Sequence, residues 1–140
     1  MTLTSRQVLQ WLPQRAPIVM VDGAQQVGEN YYALLTIMPD NWFVEGEQLL
    51  ESGIVEHQAQ AVAVCLGLRT KQQGTKETSQ IGFIAEVKNL SITRLPNVGE
   101  TLTTLITYTT AVDNIIFIQA TTTCNDEHIA ESQIKIFLPS

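Results

Sequence analysis

The sequence is poor in positive charge. It has 8 lysine and arginine residues against 14 aspartate and glutamate residues, which gives its 140 residues a formal net charge of -6 at pH 7. This balance argues against nucleic-acid binding, which needs clustered lysine and arginine, and against a polybasic protein of the membrane surface. Charged residues make up only 16% of the chain and hydrophobic residues 44%, a composition that excludes a disordered polymer.

Long apolar runs and cysteine pairs are also missing. No stretch approaches the roughly 20 apolar residues of a membrane span, and the N-terminal segment lacks the basic and apolar regions of a signal peptide. We therefore expect a cytoplasmic protein with no membrane span. Cys65 and Cys124 stand far apart without a Cys-x-x-Cys motif, so we predict no metal site, no cofactor and no disulfide framework. The length fits one domain, residues 1–140.

The most informative segment is the apolar run at residues 53–67. It is too long for an average strand, rich in alanine, and apolar on nearly every face, which is typical of a buried helix. We predict a long helix from about Ser52, the expected N-cap, to about Leu68. Arg69 and Lys71 near its C-terminal end suit the helix dipole.

Most of the remaining chain is predicted as strand. Before the long helix, a short helix should begin at Thr4 or Ser5, and residues 17–22 and 31–38 are predicted strands. After it, runs rich in Thr, Ile, Val and Phe predict an antiparallel meander of residues 80–87, 90–94, 101–110, 115–123 and 129–138. One long helix against one antiparallel sheet makes an α+β domain.

Four stretches of the chain carry motifs in an order that one enzyme family shares. Residues 12–22 resemble an LPHRxPxLLVD segment, and residues 56–61 resemble the EALAQA at the start of a central helix. Residues 97–100 and 129–134 resemble a VPGD turn and an AEAEL last strand. These are motifs of the (3R)-hydroxyacyl-acyl-carrier-protein dehydratases of fatty-acid synthesis. The resemblance runs from about Leu12 to about Leu138 and implies a hotdog fold, an antiparallel sheet wrapped around one long central helix.

One segment departs from that family. The dehydratases carry GHFPxxPxMPG with a catalytic histidine, whereas residues 41–53 contain neither histidine nor proline, and Gln14 replaces the histidine of LPHR. The chain looks closer to a divergent branch of dehydratase-like hotdog proteins linked to aryl-polyene and related pigment lipids, which are similar in their NxFV stretch. This resemblance implies an acyl thioester substrate, on an acyl carrier protein, in fatty-acid or polyene-type lipid synthesis.

Elimination of water from a 3-hydroxyacyl thioester needs a base for the C2 proton, an acid for the leaving hydroxyl, and donors for the thioester oxygen. Glu56, one turn into the helix, is the candidate acid. Gln60 lies four residues further on the same face and can bond Glu56 or the substrate. Glu51 is a candidate base. His57 diverges from Glu56 by about 100°, so we expect a surface or interface histidine, which could reach the site of a partner subunit.

Substrate contacts are the second set of candidates: Gly53, Ile54, Gln14, Phe43, Phe83 and Ile84. Free backbone N–H groups near the first two would polarise the thioester oxygen at the helix N-terminus. Gln14 is neutral and could only orient the substrate. The resemblance implies an acyl tunnel along a dimer interface, and Phe83 and Ile84 are candidates to line it.

Two classes of function stay open. The first is an enzyme, either a dehydratase or an acyl thioesterase whose helix carboxylate activates water. The second is a non-catalytic acyl-binding or partner subunit of a hotdog complex that has lost its base. Because edge strands are seldom left bare, we expect a homo-oligomer, at least a dimer, or a hetero-oligomer with another hotdog protein. Docking of an acidic carrier protein requires basic residues on one face, with Arg15, Arg69, Lys71, Lys88 and Arg94 as candidates.

Overall fold

The computed structural model describes residues 2–72 and 83–137, with the backbone alone at 72 and 83–85. Its central helix, α1, spans Glu51–Gln72 and so confirms the predicted long helix, extended by one residue at the start and four at the end. Ser52 is not the N-cap, because it lies inside α1. The chain enters the helix through Leu50, whose N–H donates to the Phe43 carbonyl (2.9 Å).

Strands surround this helix. They are β1 Thr2–Leu3, β2 Gly23–Val27, β3 Asn30–Thr36, β4 Val44–Glu45, β5 Gln48–Leu49, β6 Phe83–Ile92, β7 Thr101–Val112, β8 Ile115–Cys124 and β9 Glu127–Phe137. Within the described ranges, seven of them form one antiparallel sheet in the order β1-β2-β3-β7-β8-β9-β6, and β4 and β5 form a small hairpin before α1.

The core lies between α1 and the inner face of the sheet. In residues 102–106 of β7 and 118–124 of β8 every second residue is buried, in the alternation expected of a sheet with one covered face. On the helix, Gln60, Ile54 and Val62 are 0–1% exposed, although they are spread over about 200° around the helix axis. A long helix packed against the inner face of one curled antiparallel sheet is the hotdog arrangement, so the predicted α+β fold class is confirmed.

The strand predicted at residues 17–22 is wrong. This segment has no strand conformation, and β2 begins only at Gly23. The reason lies in the backbone groups at Ile18 and Met20, which bond side chains of α1, whereas the Asp22 N–H at the end of the segment already donates to the Leu34 carbonyl of β3 (2.7 Å). The Ile18 carbonyl and the Met20 N–H bond Gln60, and the Met20 carbonyl bonds His57.

The meander is only partly as predicted. Strands β7, β8 and β9 follow one another in the sheet, but β6 pairs with β9 rather than with β7. β7 instead pairs with β3, which joins the two halves of the sheet. The two strands predicted at 80–87 and 90–94 are one strand with two register irregularities, and residues 80–82 lie outside the described residues.

The short N-terminal helix forms as a 3₁₀ helix, Gln7–Trp11. Its N-cap is Arg6, without a side-chain cap bond, rather than the predicted Thr4 or Ser5. Thr4 instead supports the first turn: its hydroxyl accepts from the Gln7 N–H (3.3 Å) and its own N–H donates to Gln7 Oε1 (2.9 Å). The helix places Trp11 against α1 at Gly67. In the described ranges, neither helix has the length and apolar character needed to cross a membrane.

Candidate active site

Gln60 is the centre of the site that the structure brings together. Its side chain is 1% exposed. Its Nε2 donates to the Ile18 carbonyl (2.8 Å) and to Glu56 Oε1 (2.9 Å), and its Oε1 accepts from the Met20 N–H (2.6 Å). A backbone carbonyl can only accept and a backbone N–H can only donate, so the amide has one possible orientation. Gln60 is therefore a fixed donor toward Glu56.

Glu56 is half-buried on the same face of α1, one turn before Gln60. Its Oε1 accepts from Gln60 and makes a longer contact of 3.5 Å with Gln14 Nε2. In the described part of the chain no group bonds Oε2, and the buried Oε1 of Gln14 has no partner either. Three predicted site residues thus meet, and in the described residues they leave one carboxyl oxygen and one buried amide oxygen without a hydrogen-bond partner.

His57 is not at the surface or at an exposed interface, which corrects the prediction. It is 0% exposed, with Nδ1 2.7 Å from the Met20 carbonyl oxygen and Nε2 2.8 Å from Thr104 Oγ1. Because it follows Glu56 directly in α1, its ring points away from the Glu56 carboxyl group, toward Thr104 of β7 and the Met20 carbonyl. Both ring nitrogens are occupied, so His57 is not positioned as the missing base.

Burial of His57 predicts acid sensitivity of the fold. Loss of solvation lowers the pKa of His57 from 6.5 to about 4, although the bond to the Met20 carbonyl opposes this. The unfolded chain binds the proton near pH 6.5, so between these values it holds more protons than the folded chain, and stability falls as the pH falls. At 1.36 kcal/mol per pKa unit, we expect a loss of about 2 kcal/mol between about pH 7 and about pH 5, measured by urea unfolding.

The control for this prediction uses the two histidines. His57→Asn removes the titrating group and should flatten the pH dependence of the free energy of unfolding in this range. His128→Asn, at an exposed position in the β8–β9 turn region, should preserve the wild-type pH dependence. An unchanged slope in His57→Asn contradicts the assignment.

The helix N-terminus differs from the prediction. The N–H groups of Gly53 and Ile54 are not free, because both donate to the Leu50 carbonyl (2.9 and 3.3 Å). Gly53 instead serves packing: a Cβ there would lie 2.7 Å from Phe43 Cβ and 2.7 Å from a Leu49 methyl carbon. In the described residues the N–H of Ser52, one turn before Glu56 on the same face, has no partner. Ser52 is therefore the better-placed donor.

The other predicted residues lie apart from Glu56 or outside the described side chains. Glu51 is exposed in the first turn of α1, five positions before Glu56 and so about 140° around the helix. Phe43 packs against Gly53 at the helix start. Phe83 and Ile84 belong to β6 and pair with Phe137 and Ile136, but their side chains lie outside the described residues, so the tunnel lining stays a prediction.

The basic residues considered for carrier-protein docking are distributed over separate elements: Arg15 before β2, Arg69 and Lys71 at the end of α1, Lys88 on β6 and Arg94 after β6. Arg94 is paired with Glu100 through two bonds of 3.1 Å. Arg15 is exposed next to Gln14 and donates to the Leu12 and Gln14 carbonyls (2.7 Å each). A single basic face stays a prediction, with Arg15 as the cation beside the site.

Sequence reasoning missed the backbone of the 18–20 segment and a set of buried polar side chains: Gln58, Thr104, Thr122 and Ser132. A signal for these was present in the strands. Thr104 stands between two apolar residues at alternate positions, Leu102 and Ile106, where a covered sheet face requires an apolar side chain. A polar residue at such a position indicates a buried partner. No group of three His, Cys, Asp or Glu suited to a metal occurs in the part of the chain that the structure describes.

A comparison with protein families identifies the chain. Residues 6–140 match the ApeP-like model, described as the ApeP dehydratase. The chain belongs to the ApeP-like family. The predicted resemblance to a divergent branch of dehydratase-like hotdog proteins is thereby confirmed. No curated protein gives a significant match.

Solved structures show the same fold at low identity. The dehydratase heterocomplex ApeI:P from Xenorhabdus doucetiae is 17% identical, with a TM-score of 0.79 over 95% of this chain and 91% of that chain. The PaaI protein from the phenylacetic acid degradation operon of E. coli is 12% identical (TM-score 0.64, 81% and 80%). A hypothetical thioesterase with coenzyme A from Streptococcus pneumoniae is 6% identical (TM-score 0.65, 84% and 84%). The family match supports a dehydratase-like function, and the three structures show the shared fold alone.

Proposed function

We propose that this ApeP-like protein eliminates water from 3-hydroxyacyl thioesters, carried on acyl carrier protein, in fatty-acid or polyene-type lipid synthesis. The observation that carries the proposal is the Glu56 carboxyl group. Gln60, in its forced orientation, holds Oε1 at 2.9 Å, so a proton on this carboxyl belongs on Oε2. Oε2 is the oxygen left open to a ligand in the described part of the chain. A fixed carboxyl with one open oxygen suits proton transfer to a bound substrate.

The elimination then needs two proton movements. A base removes the proton from C2, the C–H electron pair forms the C2–C3 double bond, and the C3–O bond breaks as Oε2 of Glu56 protonates the leaving hydroxyl. The products are a 2-enoyl thioester and water. We assign both movements to Glu56: its Oε2, ionised at the start, takes the C2 proton and then gives the same proton to the leaving hydroxyl, which regenerates the carboxylate.

The surrounding groups suit the ends of such a substrate. The unpartnered Oε1 of Gln14 can accept a hydrogen bond from the 3-hydroxyl and so turn its oxygen toward Glu56. Ser52 lies one turn before Glu56 on the same helix face, and its free N–H is directed out of the helix N-terminus, where a thioester oxygen is stabilised as its negative charge develops. Hydroxyl and thioester are thus held on either side of Oε2.

A second candidate function is a non-catalytic partner subunit. The buried position of His57, with both ring nitrogens bonded, favours it, because the chain then has no histidine base on α1. The heterocomplex named for the Xenorhabdus doucetiae structure is consistent with a second hotdog chain that supplies the base. In that case Glu56 and the side-chain amides of Gln14 and Gln60 bind the acyl chain or the partner subunit, and this chain catalyses no reaction.

One experiment separates these functions. The purified protein is incubated with 3-hydroxyacyl- and with saturated acyl-carrier-protein thioesters, and the products are read by mass spectrometry. Dehydration gives a loss of one water from the 3-hydroxyacyl chain, whereas hydrolysis by a thioesterase releases free acid from both substrates. Loss of water without hydrolysis supports the proposal. Binding without either reaction, with turnover restored by a second hotdog chain, supports the partner subunit.

We further propose that two copies pair along β6. This strand has 10 residues, lies at one end of the sheet and pairs on one side with β9, and its Val87 is 38% exposed. An open strand of this length is a template for another strand. Val87→Lys should weaken the dimer in sedimentation experiments, because like charges would meet across the pair. The control, Val27→Lys at an exposed valine of β2, should not; a wild-type monomer at micromolar concentration contradicts the proposal.

A further inference from the structure

A chain of buried polar side chains connects α1 to three strands behind the site. Ser132 Oγ lies 2.7 Å from Gln58 Oε1, and Gln58 Nε2 lies 2.9 Å from Thr122 Oγ1. Thr122 Oγ1 lies 2.6 Å from Thr104 Oγ1, which lies 2.8 Å from His57 Nε2. The chain ends where His57 Nδ1 lies 2.7 Å from the Met20 carbonyl oxygen. All five side chains are 0–1% exposed, so no bond in the chain is exchanged with bulk solvent.

The donor and the acceptor of every hydrogen bond in the chain follow from the group at its end, the Met20 carbonyl. The Met20 carbonyl can only accept, so His57 Nδ1 carries a proton. A fully buried imidazole is neutral, since burial lowers the pKa of His57 to about 4, and its Nε2 must accept from the Thr104 hydroxyl. Thr104 then has to accept from Thr122.

The same argument fixes the rest of the chain. Thr122, which gives its proton to Thr104, accepts from the Gln58 amide, and the Gln58 oxygen accepts from the Ser132 hydroxyl. All the protons therefore point the same way, from β9 through β8 and β7 to His57 and the 18–20 segment. Bonds aligned in this way polarise one another, so removal of one hydroxyl affects the whole chain.

Met20 is the point at which this chain meets the site. Its carbonyl accepts from His57, and its N–H donates to Gln60 Oε1 (2.6 Å). One residue is therefore held from both sides by side chains three positions apart on α1. The same Gln60 amide donates to Glu56. The position of the Met20 backbone therefore determines how the Gln60 amide is oriented, and this amide in turn fixes the Glu56 carboxyl group.

We propose that His57 is a positioning residue: with the hydroxyl chain behind it, it locks the Met20 carbonyl and thereby holds Gln60 and the Glu56 carboxyl in their reactive orientation. This inference rests on the proposed function, in that Glu56 is the group being positioned. It assigns the buried histidine a role that does not require contact with substrate. It also explains why polar residues occupy the inward positions of β7, β8 and β9 behind the site.

Thr104 offers the matched pair of variants. Thr104→Val keeps the shape of the side chain but leaves His57 Nε2 without a donor and the Thr122 hydroxyl without its acceptor. Thr104→Ser restores the hydroxyl. With 3-hydroxyacyl-carrier-protein as substrate, we expect Thr104→Val to lower kcat about tenfold or more with KM within about twofold, because small misplacements of a reacting group reduce kcat strongly. Thr104→Ser should stay near wild type. A folded Thr104→Val protein with unchanged kcat overturns the proposal.

Nuclear magnetic resonance tests the same arrangement without turnover. In the wild type we expect the His57 ring as the Nδ1–H tautomer and a slowly exchanging Gln60 side-chain amide. Faster exchange of this amide in Thr104→Val, but not in Thr104→Ser, supports the proposal even if the wild type proves inactive, in which case only the proposed function fails. If Thr104→Val does not fold, Thr122→Val with Thr122→Ser breaks the chain one bond further away. The Nε2–H tautomer in the wild type, or an unchanged Gln60 amide in the folded valine variant, overturns it.

Discussion

Replacement of Glu56 by glutamine is expected to lower kcat by about 10²–10⁴-fold, the usual contribution of one general acid or base, while the fold stays intact. Glutamine keeps the size of the side chain and can still accept from Gln60 through its amide oxygen. It places an NH₂ group where Oε2 stands, and this group cannot give up or take a proton at neutral pH. The measurement is the rate of dehydration by mass spectrometry, with circular dichroism and thermal unfolding to check the fold.

Two further variants make this result specific. Glu29→Gln is the matched control, the same substitution at an exposed residue of the β2–β3 turn, and should leave the rate unchanged. Glu51→Gln tests whether a second carboxyl acts as the base: a loss comparable to that of Glu56→Gln would assign it that role despite its place about 140° around α1. Turnover that survives Glu56→Gln at nearly the full rate removes Glu56 from the chemistry.

The central helix and the pairing of Glu56 with Gln60 could be predicted from the sequence because both depend on local spacing. An alanine-rich run that is apolar on nearly every side requires burial on nearly every side. Four residues along a helix bring two side chains to one face whatever surrounds it. Turns could be predicted equally well, because their own residues mark them. The turn at Gly99, where φ is +92°, lies at the position predicted from the sequence.

The segment at residues 17–22 could not be predicted correctly, because its conformation depends on distant side chains. Its apolar residues fit a short buried strand as well as they fit the observed irregular course. What decides is that Gln60 and His57, about 40 positions away, take the backbone groups that a neighbouring strand would otherwise bond. Pairing at such sequence distance leaves no periodic signal in the segment itself.

The surroundings of His57 were missed for a related reason. Helical spacing correctly turned it away from Glu56, but the sequence could not say which way the helix faces the sheet. Thr104 stands opposite Thr122 because of the register of β7 against β8. The curl of the sheet then brings this pair of threonines next to His57. The pairing of β6 with β9 instead of β7 is also non-local. The polar loop before β6 and the turn after it are compatible with either strand as its neighbour, so the sequence could not distinguish them.

The second large effect concerns stability and begins at Gly67 of α1. Trp11 of the 3₁₀ helix lies directly against this glycine: a Cβ at Gly67 would overlap Trp11 Cδ2 and stand 2.5 Å from Cγ. Gly67→Ala must therefore displace a rigid indole ring. Overpacking of this kind costs about 1–3 kcal/mol and occasionally more, against a gain of about 1 kcal/mol in helix propensity. We expect a net loss of up to about 2 kcal/mol in the free energy of unfolding, measured by urea denaturation.

The cause can be isolated by combining this substitution with Trp11→Ala. Without the indole ring, the methyl group of Gly67→Ala meets no obstacle from Trp11, and alanine is a better helix former than glycine. In the Trp11→Ala background the effect of Gly67→Ala should thus change sign, to a stabilisation of up to about 1 kcal/mol, so that the two substitutions are strongly non-additive. Equal destabilisation in both backgrounds would show that the glycine is required for a reason other than contact with Trp11.

Because Trp11 leads the chain to Gln14, the single variant Gly67→Ala should also shift Gln14 away from Glu56 and lower kcat in the same thioester measurement.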